Sequence, residues 1–489
     1  MNPLKRLAGQ TAIYGSTTII GRLLNYLLVP LHVRIFAPEQ YGVVGEMYAY
    51  VSLLIVILTY GMETAFFRFT EQEADKKKVF SGVFASLLTT SSVFILLTVI
   101  FAQPLANIIL HPDHKEYIIW FSIVIAFDAL TTIPFAKLRA QNKARRFALI
   151  KMVNIFTNIG FNVFFLVLCP LFIKHHILTG FISSFYVNSV GVGYIFIANL
   201  LASIVTLLLL LPEMIDIDLR IDLKLLKKML WYAFPLLIFG LAGIVNETMD
   251  RIFLKYLSPP DIAMKQVGIY SACYKISIMM TIFIQAFKYA AEPFFFSQSK
   301  ESNAKHMYAQ VMKYFVIACS LIFLVIMLYM DIVKHFVDRD YYEGLKVVPI
   351  LLLANMFIGM FYNLSIWYKL TNQTRFGAYI SLFGAVLTLI LNYLLIPIIG
   401  YMGSAWATFI CYFSMMIVSF IVGQKYYRVD YNLKAICGYM IMAVGVFLLH
   451  KFLNLPTFAW RISMGTVFTF IYVFVLYRFE KKNFQKLFK

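Results

Sequence analysis

The chain has 489 residues, of which 61% are hydrophobic and only 14% charged, with a formal net charge of +19. Soluble domains use roughly 45–50% apolar residues, so a water-soluble globular fold is excluded. The basic residues sit mostly in short connections between apolar runs, which excludes a nucleic-acid-binding face.

In chain order, spans are expected at about 11–35, 41–62, 79–102, 117–139, 147–170, 190–211, 229–256, 267–293, 308–331, 345–368, 376–398, 400–423, 432–453 and 457–478. Backbone crosses lipid only as helices or closed barrels, and the period-2 alternation of a barrel is absent. The expected fold is an all-α polytopic membrane protein with about 14 transmembrane helices. The first run carries Arg22 and lacks a small-residue cleavage site, so it reads as a retained helix rather than a signal peptide. No stretch is long enough for a soluble domain. The five cysteines form no CxxC pair, so no metal site or cofactor is expected.

With the amino terminus placed inside, the inner connections and tails hold 28 Lys and Arg residues and the outer ones 10. Lys76–Lys78, Lys137–Lys151 and Arg220–Lys228 are the main inner clusters. The positive-inside rule then puts both termini in the cytoplasm, and the bilayer's anionic headgroups account for the surplus charge.

The chain repeats itself. Tyr41-Gly42 recurs as Val267-Gly268, 226 residues later, and Glu63 recurs as Glu292 at an offset of 229. Arg146-Phe147, Asn162 and Pro170 recur as Arg375-Phe376, Asn392 and Pro397, at offsets of 229, 230 and 227. Gly191 and Gly193 map onto Gly400 and Gly403 after a shortened loop. Six spans per copy is an even number, so both copies share one orientation. The expectation is two six-helix bundles, related by a pseudo-two-fold along the membrane normal, plus two extra C-terminal helices. The corresponding boundaries are an N-terminal lobe over 1–211, a cytoplasmic linker over 212–228, a C-terminal lobe over 229–423, and two helices with a basic tail over 424–489.

Ionisable residues inside spans are expensive, roughly 2.5–3.5 kcal/mol at a helix centre on insertion scales. Arg22, Glu46, Asp128, Glu247, Asp250, Arg251, Lys275, Lys288 and Glu292 all lie inside expected spans. In span one, Thr11, Gly15, Thr18, Arg22, Asn25 and His32 share one stripe; in span eight, Ser271, Lys275, Ile278, Gln285, Lys288 and Glu292 do the same. Such stripes are expected to face an aqueous cavity. Arg22 and Lys275 read as cavity cations. Glu247 with Arg251, and Lys288 with Glu292, are spaced to neutralise each other within their own helices. Glu46 lies near a span end, where hydration would suffice. Asp128 reads either as an ion site or as an interhelical hydrogen-bond partner. His111, His114, His175 and His176 belong to outer loops, where a metal site is not expected.

These features carry a resemblance. Fourteen spans, the duplication, Arg22 on the stripe of helix one, Tyr41-Gly42, Leu138-Arg139-Ala140-Gln141-Asn142-Lys143-Ala144, Pro235, Asp250-Arg251 and Val267-Gly268-Ile269-Tyr270-Ser271 are the residues involved. The chain resembles the polysaccharide-biosynthesis, Wzx-type flippases of the multidrug/oligosaccharidyl-lipid/polysaccharide (MOP) superfamily. The resemblance implies a substrate, an undecaprenyl-diphosphate-linked oligosaccharide of O-antigen, capsule or exopolysaccharide. It would be flipped by alternating access from the inner to the outer leaflet of a bacterial cytoplasmic membrane. It implies a substrate-binding role for Arg22, Lys275 and Lys288. Asp128, Glu46, Glu247, Asp250, Arg251 and Glu292 remain ion-coupling or gating candidates. Polysaccharide polymerase and chain-length proteins are the implied partners beyond lipid and glycan.

Lipid II flippases place a further basic residue in their second helix, where this chain has Glu46. A lipid II carrier and a cation-coupled multidrug exporter are the alternatives within the superfamily. A membrane glycan polymerase is the enzyme alternative, disfavoured by short outer loops and the absence of a nucleophile–base constellation. No nucleotide-binding GxxxxGK[ST] occurs.

Overall fold

A computed structural model describes residues 3–73, 75–177, 179–215, 221–299 and 301–487. Side chains of 3–14, 293, 297 and 482–487 lie outside that description. The described residues form helices without strands, as the apolar periodicity predicts. They divide into two compact units, Met1–Gly268 and Ile269–Lys489.

The first unit contains α1 (Pro3–Tyr26), α2 (Val29–Ile35), α3 (Pro38–Thr59), α4 (Met62–Gln72), α5 (Lys76–Ile100) and α6 (Ala102–Ile108). It continues through α7 (Lys115–Ala140), α8 (Ala144–Val163), α9 (Cys169–Lys174), α10 (Thr179–Ile182), α11 (Gly193–Met214) and α12 (Leu223–Leu257). Helix α13 (Pro260–Gln298) begins in the first unit and carries the start of the second. The second unit goes on through α14 (Ala304–Leu328), α15 (Met330–Val333), α16 (Val348–Leu364), α17 (Ile366–Leu370), α18 (Arg375–Ile399), α19 (Tyr401–Tyr426), α20 (Leu433–Phe452) and α21 (Phe458–Leu487).

Thirteen helical runs among the described residues are long and apolar enough to cross a bilayer. The first expected span falls on α1 and α2 ahead of these thirteen, and its residues 11–14 lie outside the described side chains. Bulky apolar side chains such as Phe452, Ile398, Trp231 and Phe470 are exposed, an arrangement that fits contact with lipid. Helix starts are capped where charge demands it. Asp75 accepts from the N–H groups of Lys77 and Lys78, and Asp222 from those of Lys224 and Leu225. The Leu225 N–H, chiefly, holds the Asp222 carboxyl below its ordinary pKa. Pro170 has no N–H to donate, and the turn before it widens into a π-helical segment over Phe164–Leu168.

The duplication marks have matching local structure in the two units. Asn162 and Asn392 are both fully buried. Each donates Nδ2 to the carbonyl four residues earlier, Asn158 or Thr388, at 2.8 Å. Each also engages a neighbouring helix through Oδ1: Asn162 with His32 Nε2 at 2.8 Å, Asn392 with Ser404 Oγ at 3.0 Å. Gly191 and Gly400 share a positive-φ conformation, φ 50 with ψ −121 and φ 57 with ψ −139, which only glycine adopts without strain. Asn142 and Asn372 both end their helices in the left-handed region, at φ 59 and φ 56.

The compact units do not divide at the expected linker. Helix α12, which follows it, packs on α3, α4 and α5 of the first unit. Gly42 and Gly268 explain part of this. A Cβ at Gly42 would overlap the Met264 carbonyl, and one at Gly268 would overlap the Pro38 carbonyl. The start of α13 therefore crosses α3 backbone to backbone, a packing that small residues permit.

Candidate functional site

At one end of the first unit, α3, α12 and the loop after α6 enclose a charged cluster. Glu46 is fully buried and Lys255 is 6% exposed. Lys255 Nζ donates to Glu46 Oε1 at 2.7 Å and also to the Ile109 carbonyl. His111 Nε2 lies 2.8 Å from Glu46 Oε2 and 3.1 Å from Lys255 Nζ. Glu46 is thus not hydrated at a span end but sealed between two partners. The sequence reading missed Lys255, because its position at a span end read as a topology signal. His111 belongs to this cluster; His114 pairs with Glu116 at 2.8 Å and stacks on Tyr117. His175 and His176 are exposed.

Further along α12, the expected same-helix pair does not form. Arg251 Nη1 donates to Asp250 Oδ1 at 2.9 Å and to the Glu247 carbonyl at 3.0 Å, while the Glu247 side chain is exposed. Asp250 and Arg251 are both buried. An adjacent carboxylate is closer to hand for the guanidinium than the one a turn away. Asp128 accepts from Ser203 Oγ at 2.8 Å, so it joins α7 to α11, the interhelical alternative, with Lys151 as a countercharge.

The stripe of α1 splits by function. His32 is buried against Asn162, and Asn25 accepts from Asn158 Nδ2 at 3.2 Å, so both attach α1–α2 to α8. Arg22 between them is exposed and pairs with no carboxylate among the described residues. Thr11 lies outside the described side chains.

In the second unit, the α13 stripe grades from buried Ser271 through half-buried Lys275 and Gln285 to exposed Lys288. Here too the expected same-helix pair is replaced. Glu292 Oε1 pairs with Lys369 Nζ of α17 at 2.7 Å, and Lys288 Nζ instead stands 4.7 Å from the centroid of the Tyr362 ring. The Glu292–Lys369 pair has a counterpart in the first unit, where Arg139 pairs with Glu63 at the same repeat offsets. A third pair, Lys313 with Glu480 at 2.5 Å, is buried between α14 and α21, and Tyr439 of α20 donates to the same carboxylate at 2.7 Å. It fixes the two C-terminal helices on α14.

The described residues form a multi-pass helical bundle with charged side chains set within its candidate spans, a fold found among membrane transporters. Solved structures agree. A lipid II flippase, MurJ, in an inward closed conformation matches with a TM-score of 0.68 at 13% identity, covering 96% of this chain and 98% of its own. An inward-facing multidrug resistance MATE family transporter of the MOP superfamily matches at 0.64 and 16% identity, covering 83% of this chain and 94% of its own. An outward-facing one matches at 0.59 and 15%, covering 85% and 95%. The fold is that of the MOP superfamily. The family model for polysaccharide biosynthesis proteins matches residues 7–299, and the chain belongs to that family. No curated protein matches the chain in sequence.

Proposed function

We propose that this protein is a flippase for polyprenyl-diphosphate-linked oligosaccharide, the repeat unit of an O-antigen, capsule or exopolysaccharide. It would carry the substrate from the cytoplasmic to the outer leaflet of a bacterial inner membrane, with both of its own termini in the cytoplasm. Family membership supports the glycan class. The observation that carries the mechanism is the distribution of charge: Glu46, Asp250, Glu292 and Glu480 are each engaged by a basic side chain, whereas Arg22 and Lys288 are exposed cations with no carboxylate partner among the described residues. A diphosphate in a low-dielectric site needs such cations. Arg22, Lys275 and Lys288 are assigned to substrate binding; the polyprenyl tail stays in lipid.

In this reading the chain is a transporter and not an enzyme, and it would hand its product to a polymerase with its chain-length partner. Glu46, Asp128, Glu247, Asp250, Arg251 and Glu292 are assigned to gating or ion coupling, where a change of partner would accompany the conformational cycle. The likeness to a lipid II flippase over 96% of the chain favours a second reading, a peptidoglycan-precursor carrier. Complementation separates them. Expression in a strain lacking its oligosaccharide flippase should restore surface glycan, and expression in a strain depleted of its lipid II flippase should not restore growth. The reverse pattern would overturn the glycan assignment.

A further inference from the structure

We infer that the cleft between α13 and α16–α17 of the second unit is an anion subsite that takes a phosphate or diphosphate group through Lys288, Lys369 and Asn363. The inference deepens the flippase reading and rests on it only for the natural ligand.

The cleft is open to the outside and is lined by Lys288, Glu292, Tyr362, Asn363 and Lys369. Two ammonium groups against one carboxylate leave it net positive. Glu292 is paired with Lys369 at 2.7 Å, which leaves Lys288 over the Tyr362 ring at 4.7 Å, attracted by Glu292 but not in hydrogen-bonding contact with it. Asn363 is 2% exposed, yet neither its Nδ2 nor its Oδ1 has a hydrogen-bond partner among the described residues. Buried amides are almost always satisfied, so an unpaired one lining a cationic cleft points to a ligand. A phosphate oxygen accepts from Nδ2 and from both ammonium groups, while Oδ1 accepts from a hydroxyl on the phosphate or on an attached sugar. A metal cation would be repelled by the two lysines.

The duplication supplies an internal control. The ion pair Glu292–Lys369 recurs in the first unit as Glu63–Arg139, so the pair belongs to the common architecture. At the same offsets, Lys288 corresponds to Thr59 and Asn363 to the fully buried Ile133. At these two positions the first unit carries neither a cation nor an amide, although Lys151 stands near Arg139 there. Lys288 and Asn363 are thus particular to the second unit.

The test measures binding to the purified full-length chain in detergent micelles by calorimetry, with inorganic pyrophosphate and farnesyl diphosphate as probes. Lys288→Ala and Asn363→Leu should each weaken binding, Lys288→Ala by about tenfold or more, without lowering the melting temperature. Glu292→Gln should tighten binding, because Lys369 is released and a negative charge removed. The doubly neutral Glu292→Gln/Lys369→Met leaves no charge unpaired and should bind more weakly than Glu292→Gln alone. Tighter binding of farnesyl diphosphate than pyrophosphate assigns a lipid-linked headgroup, and equal affinity a free anion; either supports the subsite. Pyrophosphate binding unchanged in Lys288→Ala, or weakened by Glu292→Gln, would overturn it. Intact glycan transport with lysine-independent anion binding would overturn this subsite alone. Lysine-dependent binding without glycan transport would overturn the flippase reading alone.

Discussion

Lys255 and Glu46, 209 residues apart in sequence, meet at 2.7 Å inside the first unit with almost no exposure of either side chain. The pair joins the C-terminal end of α12 to the N-terminal half of α3, and His111 closes it. Removing one member of a buried pair strands the other charge, at about 3–5 kcal/mol. Glu46→Ala and Lys255→Ala should therefore lower the melting temperature and the amount of protein in the membrane. The neutral pair Glu46→Gln/Lys255→Met should recover most of that loss. Wild-type stability in either single variant would show that the pair does not hold α12 on α3.

The buried pair between Lys313 and Glu480 makes a parallel case in the second unit. Glu480→Ala should destabilise the chain by about 3–5 kcal/mol and expose α20–α21 to protease. Lys313→Met with Glu480→Leu should restore resistance. Protease resistance of Glu480→Ala equal to wild type would remove the pair from the attachment of these helices.

Glycine substitutions test the crossing of α3 and α13. Gly42→Val and Gly268→Val each drive a side chain into a facing carbonyl and should abolish folded protein in a size-exclusion profile. Gly82→Ala, where an added Cβ meets nothing within 4 Å, should be tolerated and can gain up to about 1 kcal/mol from helix propensity. Normal folding of Gly42→Val would contradict the backbone-to-backbone contact.

Arg22 is exposed and Lys275 half-buried, so neither is a main support of the core. Arg22→Ala and Lys275→Ala should reach the membrane at normal levels while glycan export falls by tenfold or more, roughly the worth of one charge-assisted contact. Arg22→Lys should keep part of the activity, since charge survives and the bidentate fork is lost. Quantified surface glycan alongside membrane protein level checks this, and full export by both alanine variants would remove them from the substrate site.

Span positions were readable from the sequence because lipid imposes one rule on every segment: about 20 apolar residues with backbone satisfied internally. The repeat was readable as spaced glycines and asparagines, but the reason for them was not. Gly42 and Gly268 are close-approach points, and Asn162 and Asn392 are bracketing hydrogen bonds, facts of three-dimensional neighbourhood. Charge pairing was the least readable part. Periodicity offers only partners one turn away, such as Glu247 for Arg251 or Lys288 for Glu292. The structure instead pairs Arg251 with its neighbour Asp250, and Glu292 with Lys369 on another helix. Lys255 looked like one of ten outer-end cations, and Asn363 had no signal at all, because an unpaired amide is defined by what surrounds it.

Translocation of the lipid-linked glycan is the most direct test of the proposed function. Purified protein reconstituted into liposomes with a fluorescent polyprenyl-diphosphate-linked oligosaccharide, probed by an impermeant lectin added outside, measures it directly. The predicted result is protein-dependent movement of glycan between leaflets that is lost in Arg22→Ala and Lys275→Ala. Movement by the wild-type protein no faster than in protein-free vesicles would contradict it.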